Sequence, residues 1–387
     1  MKALRKLIIG AVAMLWLTPT VWAESVKIQA QYRPDLADFM DVNPPGPLCV
    51  KYGSLCQYTK GFAVDLPIEF DKVVTGWVAD PRDQYYIKVP DPTRVTLRHD
   101  RTGERQEVTL SFQVLQPRVY SPDPKRHPVN GLVNGCRYMW PPQGQETVVA
   151  EWDVRNYTAC YVSGGVTPGT QVDTHTDHLS AIVRVDTPVP HRMKHGMWRG
   201  SVAFSVGNGG QVDLGNRATV TRGSTLEIEF ELEVIHSFVL DFPPGSERAV
   251  LEPPGGWKNY VRGREPKHLY VEHPFRLWSS GPFKVYVDCG RTEGTLCGMR
   301  DRHGTHQVPF SVAITLPPAH TFAGAAVRAK VLPVGQSQAL QIDSEGASFD
   351  RRGALRYEVA GEHIPKMLDN AGAVYEGLVT VIFDAEL

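Results

Sequence analysis

An all-β protein with two β-sandwich domains is the fold class that this 387-residue sequence predicts. Many short runs rich in Val, Ile, Thr and Phe alternate apolar with polar residues, as half-buried strands do. Turn-forming clusters separate these runs, and the chain contains 35 Gly and 30 Pro. No long stretch has the 3.6-residue period of an amphipathic helix, which argues against a helical bundle or an alternating β/α fold.

The N-terminus predicts an export signal. Residues 1–6 are basic, residues 7–17 are apolar, and small residues at Val21 and Ala23 fit a cleavage site after Ala23. The apolar run is shorter than the roughly 20 residues that a transmembrane helix needs. An N-terminal membrane anchor is the alternative. We therefore expect residues 1–23 to be a signal peptide and the mature protein to be exported.

The six cysteines all follow this site and are expected to form disulfides in an oxidising compartment. Other connectivities are possible, but local pairing is favoured because each enclosed loop is short and flanked by turn residues. The predicted pairs are Cys49/Cys56, Cys136/Cys160 and Cys289/Cys297.

A glycine-rich polar segment, residues 207–223, is the predicted linker between a first domain (24–206) and a second domain (224–387). The second domain then opens with a long alternating strand, Thr225–Phe242, whose first half has four glutamates on one face and apolar residues on the other. About seven or eight strands follow one another in this half, the rhythm of a β-sandwich.

The chain ends on an amphipathic strand, Val379–Leu387, with Val379, Val381 and Phe383 on one face. A hydrophobic strand in this position has either a complete set of partners upstream or an edge that something else must cover. The function depends on which of these holds.

No catalytic, metal-binding or cofactor-binding motif stands out, so the sequence predicts a protein that is not an enzyme. The nucleophile elbow, the H-E-x-x-H motif and the phosphate-binding P-loop are all missing. A net charge of −1 gives no reason to expect nucleic acid as a partner. A polar loop is the simpler interpretation of a histidine-rich stretch whose spacing matches no zinc pattern. Its candidate ligands are His175, Asp177, His178, His191 and His195.

Arginine and aromatic residues concentrate in and beside the loop between Cys136 and Cys160. Such side chains suit a recognition surface, yet aromatic residues dominate sandwich cores as well, and Trp140 and Trp152 are candidates for the core. Both interpretations stay open. The candidate receptor-binding residues are Arg137, Tyr138, Trp140, Arg155, Tyr157 and Tyr161.

Four stretches of the second half resemble two-domain minor subunits, or tip adhesins, of bacterial chaperone–usher pili. They are HGMWRGSVAFSVGNGGQVDLGN (195–216), LEIEFELEVIHSFVLDFPPGSERAVLEPPGGW (226–257), PFRLWSSGPFKVYVDC (274–289) and MLDNAGAVYEGLVTVIFDAEL (367–387). Before residue 195 the resemblance is weak.

The resemblance implies that the second domain is an immunoglobulin-like pilin domain that lacks its last strand. A periplasmic chaperone, and then a neighbouring pilin subunit at the outer-membrane usher, would supply that strand by β-strand addition. The exported protein would end in the fimbrium at the cell surface. The groove residues would be Leu226, Ile228, Phe230, Leu232, Val379, Val381 and Phe383.

The resemblance also implies that the first domain binds a host or surface receptor, with a glycan as one candidate. Residues 25–32 could be the first strand of this domain, which suits a tip position, or a donor strand for another subunit. A structural subunit or assembly initiator that binds no receptor is one alternative. A secreted β-sandwich metallohydrolase that uses the histidine-rich stretch is another.

Overall fold

The structure, a computed structural model, describes residues 24–51, 53, 61–123, 126–260, 265–304, 306–370 and 372–385. The predicted signal peptide, Cys56 and the last two residues lie outside this part of the chain. Nearly all of the regular structure is β-strand, which confirms the predicted fold class. Within the described residues, no helix has the length and apolar character to cross a membrane.

The first domain covers residues 24–234. Its strands are β1 (Glu24–Tyr32), β2 (Met40–Asp41), β3 (Phe62–Leu66), β4 (Glu69–Thr75), β5 (Tyr85–Ile87), β6 (Thr93–His99), β7 (Arg105–Tyr120), β8 (Leu132–Asn134), β9 (Cys136–Gly144), β10 (Thr147–Val154), β11 (Cys160–Ser163), β12 (Gln171–Asp186), β13 (Gly196–Gly207), β14 (Val212–Asp213), β15 (Ala218–Arg222) and β16 (Thr225–Val234). Its described residues also include a short helix, α1 (Pro47–Lys51), and the 3-10 turns Pro81–Asp83 and Pro190–Arg192.

Most of these strands belong to one curled sheet that forms a sandwich-like body. Its main path is β15-β4-β12-β7-β6-β13-β16-β1-β2, and β5, β11 and β8 form a smaller sheet. β1 pairs with β16 in parallel from Glu24↔Leu226 to Tyr32↔Val234. Residues 25–32 therefore lie in the sheet of the first domain rather than apart from it.

The core of the first domain collects the inward faces of these strands. Trp152 and Trp198 are fully buried in it, which places Trp152 in the core as one of the two interpretations expected. Alternation along β16 is complete: its apolar residues are buried and its glutamates are half-buried.

In the structure the predicted linker, 207–223, belongs to the first sheet, and the chain passes to the sheets of the second domain at residues 235–237. Within 207–223 the chain forms β14, which pairs with β13, and β15, which pairs with β4. β16 pairs with β13 and β1 over its whole length. The predicted strand Thr225–Phe242 is thus two strands, one in each domain. The sequence reads as a single strand because its alternating pattern continues in phase across the boundary.

The second domain covers residues 238–385. Its strands are β17 (Phe238–Asp241), β18 (His268–Ser279), β19 (Phe283–Cys289), β20 (Thr292–Glu293), β21 (Leu296–Asp301), β22 (Gln307–Thr315), β23 (His320–Phe322), β24 (Ala325–Ala326), β25 (Lys330–Val331), β26 (Leu340–Ser344), β27 (Ser348–Ala360), β28 (Tyr375–Glu376) and β29 (Val379–Asp384). Its described helical segments are α2 (Ile364–Leu368) and the 3-10 turns Trp257–Tyr260, Gln336–Gln338 and Gly361–His363.

Two sheets face each other in the second domain. One has the order β17-β18-β27-β22-β21-β20, and the other has the order β24-β23-β26-β19-β29. Their inward side chains form a separate core, which includes Phe275, Phe283 and Val285. The chain therefore has a hydrophobic core in each domain, as a two-domain protein requires.

The disulfides confirm two of the predicted local pairs. Cys136 is bonded to Cys160 and Cys289 is bonded to Cys297. Cys49 is also in a disulfide, and its predicted partner Cys56 lies outside the described residues. Each of the two described bridges closes a short segment within one domain.

A buried lysine on β4 forms hydrogen bonds that hold the segment 207–223 against the rest of the first domain. Lys72 is 2% exposed, and its Nζ donates to the carbonyls of Arg82 (3.0 Å), Leu214 (2.8 Å) and Asn216 (2.7 Å). Burial lowers the pKa of Lys72 to about 8. Next to it, the Arg82 guanidinium donates to the carboxylate of Asp213 on β14. These contacts explain why a glycine-rich polar stretch is part of a domain rather than a linker.

We expect Lys72→Met to lower the free energy of unfolding of the first domain by about 2 kcal/mol. Three carbonyls, one of them fully buried, lose their donor, and this loss is partly offset because no ammonium is buried any longer. Urea unfolding measures the change. Lys366→Met, at an exposed position in α2, is the control. An effect of Lys72→Met no larger than that of the control would contradict the assignment.

Candidate functional site

An incompletely covered edge of the second domain lies along β29. This strand pairs with β19 from Lys284↔Asp384 to Cys289↔Val379, and its opposite edge has no strand partner among the described residues. Val381 and Phe383 of β29 are only half-buried, whereas the residues paired with them on β19 are buried. Val285 and Val287, which lie opposite Phe383 and Val381, are 0% and 1% exposed. The core is thus sealed beneath β19 and open beneath β29.

β17 forms the facing edge on the other sheet. It pairs with β18 from Phe238↔Ser279 to Asp241↔Arg276, and the described chain offers no strand to its other side. Phe238 and Leu240 point toward the core and remain half-buried. We call the seam between β17 and β29 the edge groove.

Phenylalanines pack tightly inside the edge groove. The ring of Phe383 lies 5.8 Å from that of Phe238, 6.0 Å from that of Phe283 and 6.2 Å from that of Phe275, between centroids. Phe238 also meets Phe283 edge to face at 4.9 Å. Phe275 and Phe283 are buried and form the floor, while Phe238 and Phe383 form the two sides. Aromatic groups in these geometries give a floor that suits apolar side chains.

The edge groove meets a cavity between the two domains. Phe283 and Asp384 belong to both, and the cavity has a volume of about 740 Å³. Arg192 and Lys194 line it from the first domain, and Lys194 lies 3.2 Å from the carboxylate of Glu104. The groove is therefore apolar along its length and charged at this end.

The structure does not bring all the predicted groove residues together. Val379, Val381 and Phe383 pack against the second core beside the edge groove, but the four predicted residues of β16 are 0–1% exposed in the core of the first domain. Those four are Leu226, Ile228, Phe230 and Leu232. The missing side is supplied by Phe238 and Leu240, which belong to the same predicted strand but follow the boundary. The polar pair His236-Ser237 is the signal that could have located the break.

The candidate receptor-binding residues fall into two groups. Arg137 and Arg155 are exposed, and both approach the carboxylate of Asp153, at 3.8 Å and 3.3 Å. Tyr138 points inward instead: its hydroxyl donates to the carbonyl of Val129, and burial raises its pKa. The two arginines are therefore exposed to solvent, whereas the hydroxyl of Tyr138 is directed into the domain and hydrogen-bonded there.

The remaining aromatic candidates are half-buried. Trp140 packs against a small cluster that includes Leu48 and Ile182, consistent with a structural role. Tyr161 lies in the small sheet between Tyr86 of β5 and Asn134 of β8. Tyr157 has a positive φ of 54° in the turn between β10 and β11. These side chains do not form one exposed aromatic face.

The histidine-rich stretch is divided among separate structures. His175 and His178 lie on β12, where His175 Nδ1 is 2.8 Å from a carboxylate oxygen of Asp71 and His178 Nε2 is 2.9 Å from Ser180 Oγ. His191 and His195 lie in the segment before β13, near the domain boundary. In the described part of the chain, no group of three or more His, Cys, Asp or Glu residues is arranged to hold a metal ion.

No family model matches this chain, and no curated protein matches it. Among solved structures, it is similar to a chaperone–tip adhesin complex of CFA/I fimbriae, with 9% identity, a TM-score of 0.26, and coverage of 94% of this chain and 96% of the other. It is also similar to the CsuC–CsuE chaperone–tip subunit complex of archaic Csu pili from Acinetobacter baumannii, with 8% identity, a TM-score of 0.22, and coverage of 81% and 84%. At these values the comparisons define neither a family nor a function for this chain.

Proposed function

We propose that the chain is a non-enzymatic subunit of a chaperone–usher pilus, and that a strand from another protein, the donor strand, completes its second domain. The observation that carries this proposal is the difference in burial between β29 and β19. Val381 and Phe383 remain half-buried although their ladder partners, Val287 and Val285, are fully covered. A strand laid in the edge groove would cover both residues.

The recognition mode that fits is β-strand addition. The free edge of β29 offers main-chain N–H and C=O groups to a donor strand, and alternate donor side chains would enter the edge groove. Each well-buried aliphatic or aromatic side chain would contribute about 1.5–3 kcal/mol of apolar burial. Phe238, Phe275 and Phe283 would receive them, so the donor should be apolar at every second position.

The resemblance of the second half to pilus subunits supports the choice of partners. The donor strand would come first from a periplasmic chaperone and then from a neighbouring pilin subunit at the usher. The first domain has its own complete core, which suits a separate binding module at the tip of the fibre. Its exposed Arg137 and Arg155 are the predicted residues that remain available to a receptor.

Donor-strand binding can be tested on the full chain with synthetic peptides. We expect a peptide of alternating Val, Ile or Phe to raise the melting temperature of the second domain, because a ligand at about 100 times its Kd stabilises the folded state by roughly 2.7 kcal/mol. A peptide of the same composition in which the apolar residues are adjacent is the control. Equal shifts with both peptides, or no shift with either, would contradict an open edge groove.

Binding of the full chain to host cells and to an array of glycans distinguishes an adhesin from a structural subunit. Specific binding that is lost in the Arg137→Ala, Arg155→Ala double variant would support receptor recognition by the first domain. A chain that captures a donor peptide and binds no cell or glycan would instead be a structural subunit or an assembly initiator.

A further inference from the structure

The passage from the first domain to the second is fixed by short hydrogen bonds on both sides. On the first-domain side, the N–H of Ile235 donates to the carbonyl of Tyr32 at 2.8 Å. On the second-domain side, the N–H of Ser237 donates to Ser280 Oγ at 2.9 Å, and the N–H of Ser280 donates to the carbonyl of Ser237 at 3.2 Å. We call residues 235–237 the joint.

His236, at the centre of the joint, is wedged between the domains. Its side chain is 7% exposed, and its Nε2 lies 2.7 Å from the carbonyl oxygen of Met193 in the first domain. On the other side its ring lies over Gly281, where an added Cβ would come within 2.5 Å of the imidazole. The ring therefore needs both a first-domain acceptor and a glycine in the second domain.

The hydrogen bonds define where the protons are. A carbonyl oxygen only accepts, so Nε2 of His236 carries a proton and donates it to Met193. The backbone N–H of His236 donates to Nδ1 of His195 at 3.1 Å, so that nitrogen carries no proton. A proton on Nδ1 of His195 would replace this acceptor with a second donor. The joint as observed thus requires a neutral His195.

Nδ1 of His236 faces the second domain, 3.4 Å from Ser280 Oγ. The same hydroxyl oxygen accepts the N–H of Ser237. When the ring of His236 is neutral, the Ser280 hydroxyl proton points to Nδ1, and its oxygen remains available to Ser237. A second proton on His236 would force this hydroxyl to turn, which weakens the contact between the domains.

Two arginines and one glutamate lie near the histidines at the joint. His236 lies with its ring 6.5 Å from that of His195, and burial lowers the pKa of both. Burial and Arg192 likewise lower the pKa of His191. Glu233 favours the charged form of His195. The other titratable groups that face these histidines are the phenol of Tyr32, the imidazole of His99 and the guanidinium of Arg101.

We propose that this junction is a proton-operated joint, in which protonation of His195 and His236 in mildly acidic solution releases the two domains from their fixed arrangement. Two imidazolium groups would stand side by side, next to Arg101 and Arg192, and the bond from His236 N–H to His195 would be lost. The inference concerns the domain junction and does not depend on what fills the edge groove.

The test is an interdomain distance distribution measured on the full chain by pulsed electron resonance. Spin labels carried by non-cysteine amino acids replace Tyr120 in the first domain and Phe349 in the second, both exposed. We expect one narrow distribution at about pH 7.5 and a broad one at about pH 5, a range in which histidines change charge. An unchanged narrow distribution at the lower pH would overturn the proposal.

The matched control is the double variant His195→Asn, His236→Gln. The Asn side chain can accept the backbone N–H as Nδ1 does, the Gln side chain can donate to Met193 as Nε2 does, and neither takes up a proton. We expect its distribution to stay narrow at both pH values. If it broadens on acidification as the native chain does, histidine protonation is not the cause. If the distance distribution of the double variant is already broad at neutral pH, the single variant His195→Asn replaces it as the control, and its distribution is again expected to stay narrow at both pH values.

Discussion

Phe383→Asp is expected to abolish donor-strand capture by the second domain. The carboxylate would stand among the rings of Phe238, Phe275 and Phe283, all within 6.2 Å of the native ring between centroids. While the edge groove is open, water can solvate this charge, but a bound donor strand would remove that water. We expect a loss of about 4 kcal/mol in binding, or roughly a thousandfold in Kd, because a buried unpaired charge costs several kcal/mol.

The matched control is Thr380→Asp, which places the same charge on the exposed face of the same strand. Calorimetry with the alternating donor peptide measures both variants, and circular dichroism checks that each is folded. Phe383→Ala separates the effect of the charge from the loss of ring contacts, and it should weaken binding less than Phe383→Asp. If the Phe383→Asp and Thr380→Asp variants bind the peptide equally, the donor strand does not occupy the edge groove.

The second domain is expected to lose stability in acid because of His320. This residue is 0% exposed, its ring packs against Phe283 with centroids 5.6 Å apart, and burial lowers its pKa to about 4. The unfolded chain, with an ordinary histidine pKa of about 6.5, binds a proton first as the pH falls. Stability is therefore retained above about pH 6.5 and is lost progressively toward pH 4, by about 3 kcal/mol in total.

His320→Phe should remove this dependence, because phenylalanine keeps a ring beside Phe283 and has no titrating group. Urea unfolding, followed by hydrogen-exchange mass spectrometry of the β19 segment 283–289, reports on the second domain specifically. The quantity of interest is the difference in unfolding free energy between native and variant proteins at each pH, from which other titrating groups cancel. A difference that stays constant between pH 7 and pH 4 would contradict this role of His320.

The sequence predicts the strands themselves well, and the reason is local. Alternation in Thr225–Val234 indicates which side of the strand is buried, and its burial alternates as expected. In Val379–Asp384 the same pattern identifies the residues that pack against the core, Val379, Val381 and Phe383. The close cysteine pairs at 136/160 and 289/297 were likewise readable, because short loops bring their ends together. The incomplete cover of β29 follows from its position at the end of a sheet.

What could not be predicted is which sheet buries each strand. Alternation gives a face but no partner. The family resemblance implies that the inward residues of β16 and β29 line one groove, whereas β16 pairs with β1 and β13 in the first domain. The glycine-rich, polar composition of residues 207–223 was also misleading. The segment 207–223 reads as a linker because the ammonium of Lys72, which holds its carbonyls, is more than a hundred residues away in sequence. Of the two histidines that bond to each other at the joint, only His195 stands out in the sequence, as a candidate metal ligand.

The parallel ladder between β1 and β16 has a kinetic consequence. Gln29 and Glu231, which are hydrogen-bonded across it, are separated by 202 residues. At about 5–20 residues per second, roughly 10–40 s of synthesis separate the appearance of these two residues. Throughout that interval the first strand of the domain has no β16 to pair with, and so remains open to wrong partners. Closure of the first domain is consequently a late event, and a slow, non-local step is expected to limit its folding rate.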